Sequence, residues 1–367
     1  MRLAVAASSL GLALLLAEGL ARVRVAIAHG APVDPMIDLQ SDLVTGPFVD
    51  LYGYDRNLGW VPRSYVRTVR WGVPVTTGGD GIRLNGRAAT GSDARTTTIL
   101  ALGDSFTFGD EVGDTDAWPA HLERLLEDRA RGEPVRVLNA GVSSYGLDQV
   151  VLRAEALVPK HSPRVVIVSF IQEDVERMLQ RARHGVPKPY FVLTPSGLAL
   201  RNVPTPPPRT PDRARQWLLR RSSLAKLVAQ RGPDAVSYLL GAGTMVDHAR
   251  VGGASSAVAI ANGVMQRLAA LQAASGFALI VVAHPVETNE TVSPATHQVL
   301  SALARWSAGR VSIVNAIDTL RTHAADDPPL AESIFHGHWQ QHMSPAGNRY
   351  MAELLLPFVV ASLGAAG

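Results

Sequence analysis

TTTILALGDSFTFGDEV (residues 96–112) carries the pattern on which the fold turns. Its first seven residues form a β-branched and aliphatic run of strand length, and Gly103 permits an abrupt turn directly after it. Ser105 then falls at the carboxyl end of a buried strand, where open α/β proteins place their chemistry. A serine on such a strand-to-helix turn can present its hydroxyl to a base, as a nucleophile must. Gly-Asp-Ser alone is ordinary turn composition. The strand in front of it makes the triplet informative.

Working outward, the same rhythm repeats. VRVLNA (135–140), VVIVSF (165–170), FALIVVA (277–283) and VSIVNA (311–316) supply four more apolar strands separated by helix-length segments. One helix is expected from about Asp116 to Ala130, with Pro119 in its first turn, and another near 147–158. Five such strands alternating with helices predict a parallel sheet covered on both faces. Residues 182–254 interrupt the alternation. KPYFVLTPSGLALRNVP (188–204) reads as a hairpin turning at Pro195-Ser196-Gly197, and TPPPRTP (205–211) as a linker. RARQWLLRRSSLAKLVAQR (213–231) reads as a basic amphipathic helix, either packed on the domain or lying on an anionic membrane. Residues 29–95, punctuated by Gly, Pro and tryptophan, read as an irregular or β-rich extension.

The N-terminus adds an address. Residues 3–17 carry no charge and 3–21 carry one, Glu18, close to the ~20 residues that cross a bilayer. Residues 1–28 read as a transmembrane anchor or a signal segment, and a poor cleavage motif favours the uncleaved anchor, with the main domain periplasmic or otherwise extracytoplasmic, although Arg22 and Arg24 oppose that orientation. Cysteine is absent, which removes disulfides, thiolate metal sites and thiol nucleophiles. A net charge of +3 gives no global argument for nucleic acid, and no P-loop or strand-linked GxGxxG is present. Neither a cofactor nor a nucleic-acid partner is expected.

Taken with LNAGVSSYGLDQ (138–149) and HMSPAGNRYMAELL (342–355), the Gly-Asp-Ser block resembles the SGNH, or GDSL-type, hydrolases over roughly residues 96–361. YDRNLGW (54–60), GIRLNG (81–86) and the 188–204 stretch look like features of their membrane-anchored bacterial members. The resemblance implies a flavodoxin-like three-layer α/β fold around a five-stranded parallel sheet. It also implies ester hydrolysis, with Ser105 as nucleophile and His342 as general base. The backbone N–H groups of Ser105 and Gly141 would hold the oxyanion. The substrate class is an acylated cell-envelope glycan or lipid, with the membrane as partner through the N-terminal helix.

Two blocks depart from the pattern. The family's third block ends Asn-Asp, whereas SFIQEDV (169–175) puts Glu173 at the Asn position. A carboxylate accepts but does not donate, so Glu173 helps an oxyanion only when protonated, and Gln172 is the neighbouring amide. The family's acid precedes the histidine by two or three residues, where this chain has Gln340 and Trp339. No acid is named by the sequence; a main-chain carbonyl or Gln340 would hold Nδ1 in a Ser–His dyad. These departures keep two alternatives open: a catalytically degenerate SGNH-fold binding protein, and an O-acyltransferase using the same serine. His336, His338 and His342 have a metal-like spacing but lack a carboxylate or cysteine partner, and no metal is expected. His338 is the fallback base if the block is out of register. His284 reads as a hydrogen-bonded loop histidine, Asp104 as a structural residue and Asp174 as a helix cap.

Overall fold

The five apolar runs form one sheet. The computed structural model describes residues 11–23, 51–87, 96–129, 134–183, 186–207, 222, 224, 253–307, 309–336 and 342–365. The chain divides into two compact units, residues 1–50 with 208–248, and residues 51–207 with 249–367. The second begins with two antiparallel hairpins, β1 (Tyr52–Asp55) with β2 (Gly59–Pro62) and β3 (Arg67–Arg70) with β4 (Val73–Thr76). Next come β5 (Thr97–Leu102), α1 (Ser105–Phe108), α2 (Trp118–Glu127), β6 (Val135–Asn139) and α3 (Leu147–His161). β7 (Val165–Phe170) and α4 (Gln172–Arg177) lead into two small antiparallel pairs. These are β8 (Ala182–Arg183) with β9 (Val186–Pro187), and β10 (Tyr190–Thr194) with β11 (Gly197–Arg201). α5 (Ala254–Ser275), β12 (Ala278–Ala283), α6 (Pro294–Ser307), β13 (Val311–Asn315), α7 (Ala316–Asp326), α8 (Pro328–Ser333) and α9 (Pro345–Ala365) complete the unit.

The sheet order is β13-β12-β7-β5-β6, and every pairing is parallel. Parallel strands need covered faces, which explains why β7 is apolar and buried at nearly every position. α2, α7 and α9 cover one face through Trp118, Leu122, Leu320, Met351 and Leu355. α3, α5 and α6 cover the other, burying Val150, Ala154, Val264, Leu268 and Val299. This unit therefore has a three-layer α/β fold around a five-stranded parallel sheet. It leaves β5 for β6 on one side and then returns to β7 on the other, so the topological switch point lies between β5 and β7. Crevices at such points hold ligands, and the turns after these two strands carry residues 103–114 and 171–177.

One sequence expectation needs adjustment, and two lie partly or mostly outside the described residues. α3 runs past 158 to His161, ending where Ser162 enters the left-handed region (φ 43) and returns its N–H to Val158 O. Residues 11–23 are helical and expose Leu12, Leu14, Leu15, Leu16 and Leu20, but no helix among the described residues is long and apolar enough to cross a membrane. Residues 1–10 of the expected anchor lie outside the described residues, as does most of the expected basic helix at 213–231. Within that unit the Glu18 carboxylate accepts hydrogen bonds from Arg22 Nε (2.8 Å), Ser222 Oγ (2.7 Å) and Leu224 N–H (3.0 Å).

Candidate active site

Ser105 is the first residue of α1, so its N–H has no intrahelical acceptor. Asp104 caps the helix by accepting from Phe106 N–H at 3.0 Å. The turn is tight enough to demand glycine at 103: a Cβ there would stand 2.1 Å from Thr107 Oγ1 and 2.6 Å from Ser169 O. His342 reaches this turn from the far end of the chain. Its loop is held by His336 N–H donating to His342 O (3.0 Å) and by buried Asn348. The Asn348 amide donates to Met343 O at 3.0 Å, and its oxygen accepts Trp118 N–H at 2.9 Å. The outcome is a separation of 2.9 Å between His342 Nε2 and Ser105 Oγ.

On the other side of the ring, His342 Nδ1 lies 3.2 Å from Glu111 Oε1. Glu111 occupies the acceptor position that the sequence left unassigned. It comes from the same loop as Ser105, six residues further on, and adopts φ 72. Arg83 fastens that loop from the N-terminal extension. Its guanidinium is 1% exposed and donates to Phe108 O (2.9 Å), Gly109 O (2.6 Å), Val112 O (2.7 Å) and Asp114 Oδ1 (3.1 Å). Asp114 Oδ1 also accepts Thr76 N–H at 3.0 Å, tying the β3–β4 hairpin to the same loop. Two consecutive carboxylates shortly after the Gly-Asp-Ser turn, Asp110 and Glu111, were the available sequence signal.

Burial alone would depress the imidazole's proton affinity. The Glu111 hydrogen bond and the charges of Asp110, Glu111 and Asp104 outweigh it, and the His342 pKa stands above the ordinary histidine value. Asp110 is itself buried, and desolvation pushes its pKa up against the opposing charges of Arg70 and His342. Ser143 Oγ donates to it at 2.9 Å and in turn accepts Tyr52 O–H at 2.6 Å. Phe106 packs against both His342 and His284, with ring centroids 4.9 and 5.0 Å apart. His284 is buried and lowered to about 4 chiefly by desolvation, so its neutral ring donates Nδ1–H to Pro285 O (2.8 Å).

The expected oxyanion donors fare unequally. Ser105 N–H is placed at the start of α1. Gly141 N–H instead goes to its neighbour's side chain, Asn139 Oδ1, at 3.1 Å. The glycine has a packing reason: a Cβ would lie 2.3 Å from Phe108 N, so residue 141 sets how closely this turn approaches α1. Glu173 is exposed on the first turn of α4. Gln172 is committed elsewhere, its amide donating to Glu290 and to Thr291 O (3.0 Å) while its oxygen accepts Ser293 N–H. Asp174 does more than cap. It accepts Ile171 N–H (3.1 Å) and Arg177 Nη1 (2.6 Å), and Arg177 also reaches Asp104 Oδ2 and Tyr145 O, both at 3.2 Å. Desolvation, reinforced by Asp104, holds the Asp174 pKa well above the usual carboxylate range. His338, Trp339 and Gln340 lie outside the described residues, and among the described residues no His, Asp and Glu group could hold a metal.

No family model matches the chain. Thioesterase 1/protease 1/lysophospholipase L1 of Escherichia coli (strain K12) is 36% identical over 83 residues, which are 23% of this chain. The match spans 38% of that protein's length. Among solved structures, the acetyl xylan esterase AlAXEase is similar at 11% identity and TM-score 0.42, over 71% of this chain and 99% of that one. TesA is similar at 13% identity and TM-score 0.41, over 72% and 99%. A lipolytic protein of the G-D-S-L family from Veillonella parvula DSM 2008 is similar at 12% identity and TM-score 0.38, over 71% and 97%.

Proposed function

We propose, from a chain that resembles the SGNH, or GDSL-type, hydrolases in its ordered blocks and its three-layer fold, a serine hydrolase that cleaves ester bonds. The observation that carries this reading is the continuous line Glu111–His342–Ser105, with separations of 3.2 and 2.9 Å. His342 Nε2 takes the Ser105 hydroxyl proton as Oγ attacks the acyl carbon, forming a C–O bond while the carbonyl pair moves onto oxygen. Glu111 accepts Nδ1–H, fixes the tautomer and stabilises the imidazolium that forms. Ser105 N–H, at the start of α1, donates to the oxyanion. Collapse expels the alcohol, which takes its proton from His342 Nε2. Water, deprotonated by the same nitrogen, then releases the acid and restores Ser105.

The substrate proposed is an acylated envelope glycan or lipid, in keeping with relatives named for acetyl xylan and lysophospholipid. We further propose a membrane-anchored protein with an extracytoplasmic main domain; the exposed leucines of the helix at 11–23 support the membrane contact. Hydrolysis by the full chain of short acyl esters tests the chemistry. Activity that falls to background in Ser105→Ala is expected, and equal rates in the two proteins would remove the reading. Appearance of the acyl group on an added sugar hydroxyl, rather than as free acid, would identify acyl transfer instead.

A further inference from the structure

Near Asp110, which also feels the charge of His342, a buried cation has guanidinium N–H groups without a hydrogen-bond acceptor among the described residues. Arg70, the last residue of β3, is 6% exposed, and its Nε and Nη1 are buried with no acceptor. The indole Nε1 of the next residue, Trp71, is likewise buried with no acceptor. The guanidinium lies over the Trp71 ring, 4.0 Å from its centroid, and 5.6 Å from that of Tyr52. Aromatic faces fix the plane of a guanidinium and attract its charge, but they satisfy few of its five N–H donors. Removing such a group from water is costly unless oxygen acceptors complete it. Arg70 is the nearby charge that most opposes the desolvation of Asp110, and the Asp110 carboxylate accepts a hydrogen bond from Ser143 Oγ.

The location gives this cation its meaning. Trp71 (φ 50) and Gly72 (φ 76), both left-handed, form the turn of the β3–β4 hairpin directly after Arg70. That hairpin is pinned to the nucleophile loop by Thr76 and Arg83. From the Tyr52 ring beneath Arg70, one hydroxyl leads through Ser143 Oγ to Asp110, the neighbour of Glu111. We propose that Arg70, with the Trp71 indole N–H, receives an anionic oxygen group, phosphate or carboxylate, carried by the substrate beside the ester. Arg70 is then a specificity determinant that separates acidic from neutral esters, a conclusion that rests on the ester-hydrolase reading.

Two matched pairs of esters with the same acyl group test it on the full chain: an acylated uronate against its neutral sugar, and an acyl glycerophosphate against the acyl glycerol. The expected kcat/KM preference for at least one acidic member is about tenfold or more, and the pair that shows it identifies the anion. Arg70→Gln should bring that ratio close to one through KM, while Arg70→Lys, which keeps the charge, should retain part of it. Equal ratios in the wild type and Arg70→Gln, or no preference in the wild type, would overturn the proposal. Should the chain hydrolyse no ester, the ester-hydrolase reading falls separately. Calorimetric binding of glycerol phosphate and of glucuronate to Ser105→Ala and to Ser105→Ala/Arg70→Gln then decides the anion site, which requires weaker binding in the second protein.

Discussion

Glu111 adopts φ 72, a conformation that costs a non-glycine residue about 1–2 kcal/mol. The surroundings over-determine it: Arg83 binds the carbonyls of Phe108, Gly109 and Val112 on both sides, leaving the backbone little alternative. The strained position directs Oε1 to His342 Nδ1. Glu111→Gln keeps the shape and removes the charge, so kcat/KM should fall about 10²–10⁴-fold, in line with other triad acids. The sign of the pH effect follows from the histidine. Its pKa is held above the ordinary value in part by Glu111, and the reactive neutral imidazole is lost as pH falls through it. Removing the carboxylate disfavours imidazolium, so the acid limb of the kcat/KM profile should move to lower pH. An unmoved limb would show that Glu111 does not act on His342.

At the scale of elements, the site depends on how closely two turns approach α1. Gly141 lies against Phe108 N and Gly103 against Ser169 O, and both contacts exclude a Cβ. Gly141→Ala should therefore lower stability by about 1–3 kcal/mol through overpacking, read as a reduced denaturant midpoint, and should reduce kcat as α1 shifts. Arg83→Met should destabilise by about 3–5 kcal/mol, because it leaves Asp114 and several carbonyls of the nucleophile loop without their buried donor. The elements themselves were legible in the sequence. β5, β7 and β12 are buried along most of their length and so read as largely apolar runs, and Gly103-Asp104-Ser105 follows the end of the first. Glu111 was not legible in the same way. Its role comes from a single backbone angle and a partner 231 positions away, and neither leaves a periodic trace. Gly141 carries two readings at once, since the need for close packing and the need for an oxyanion N–H select the same residue, and its N–H here goes to Asn139 Oδ1.

Across the whole molecule, residues 51–87 are part of the site's construction. β3–β4 and Arg83 hold the loop that carries Glu111, and Tyr52 reaches Ser143 and through it Asp110. A buried ion pair fastens the 182–204 stretch in the same unit: Lys188 Nζ lies 2.6 Å from Asp148 Oδ2, both essentially without solvent exposure. Removing one partner leaves a buried charge uncompensated, so Lys188→Met should cost about 3–5 kcal/mol in equilibrium unfolding, whereas Lys188→Met with Asp148→Leu should recover much of it. A double variant no better than the single one would show that packing, not charge, sets the loss. The central claim is that Ser105 is a nucleophile activated by His342 and Glu111, and covalent labelling of the intact protein by a fluorophosphonate tests it most directly. One adduct per chain on Ser105, no adduct in Ser105→Ala, and slow labelling in Glu111→Gln are expected. Failure of the folded wild-type protein to label, or an adduct that persists in Ser105→Ala, would contradict it.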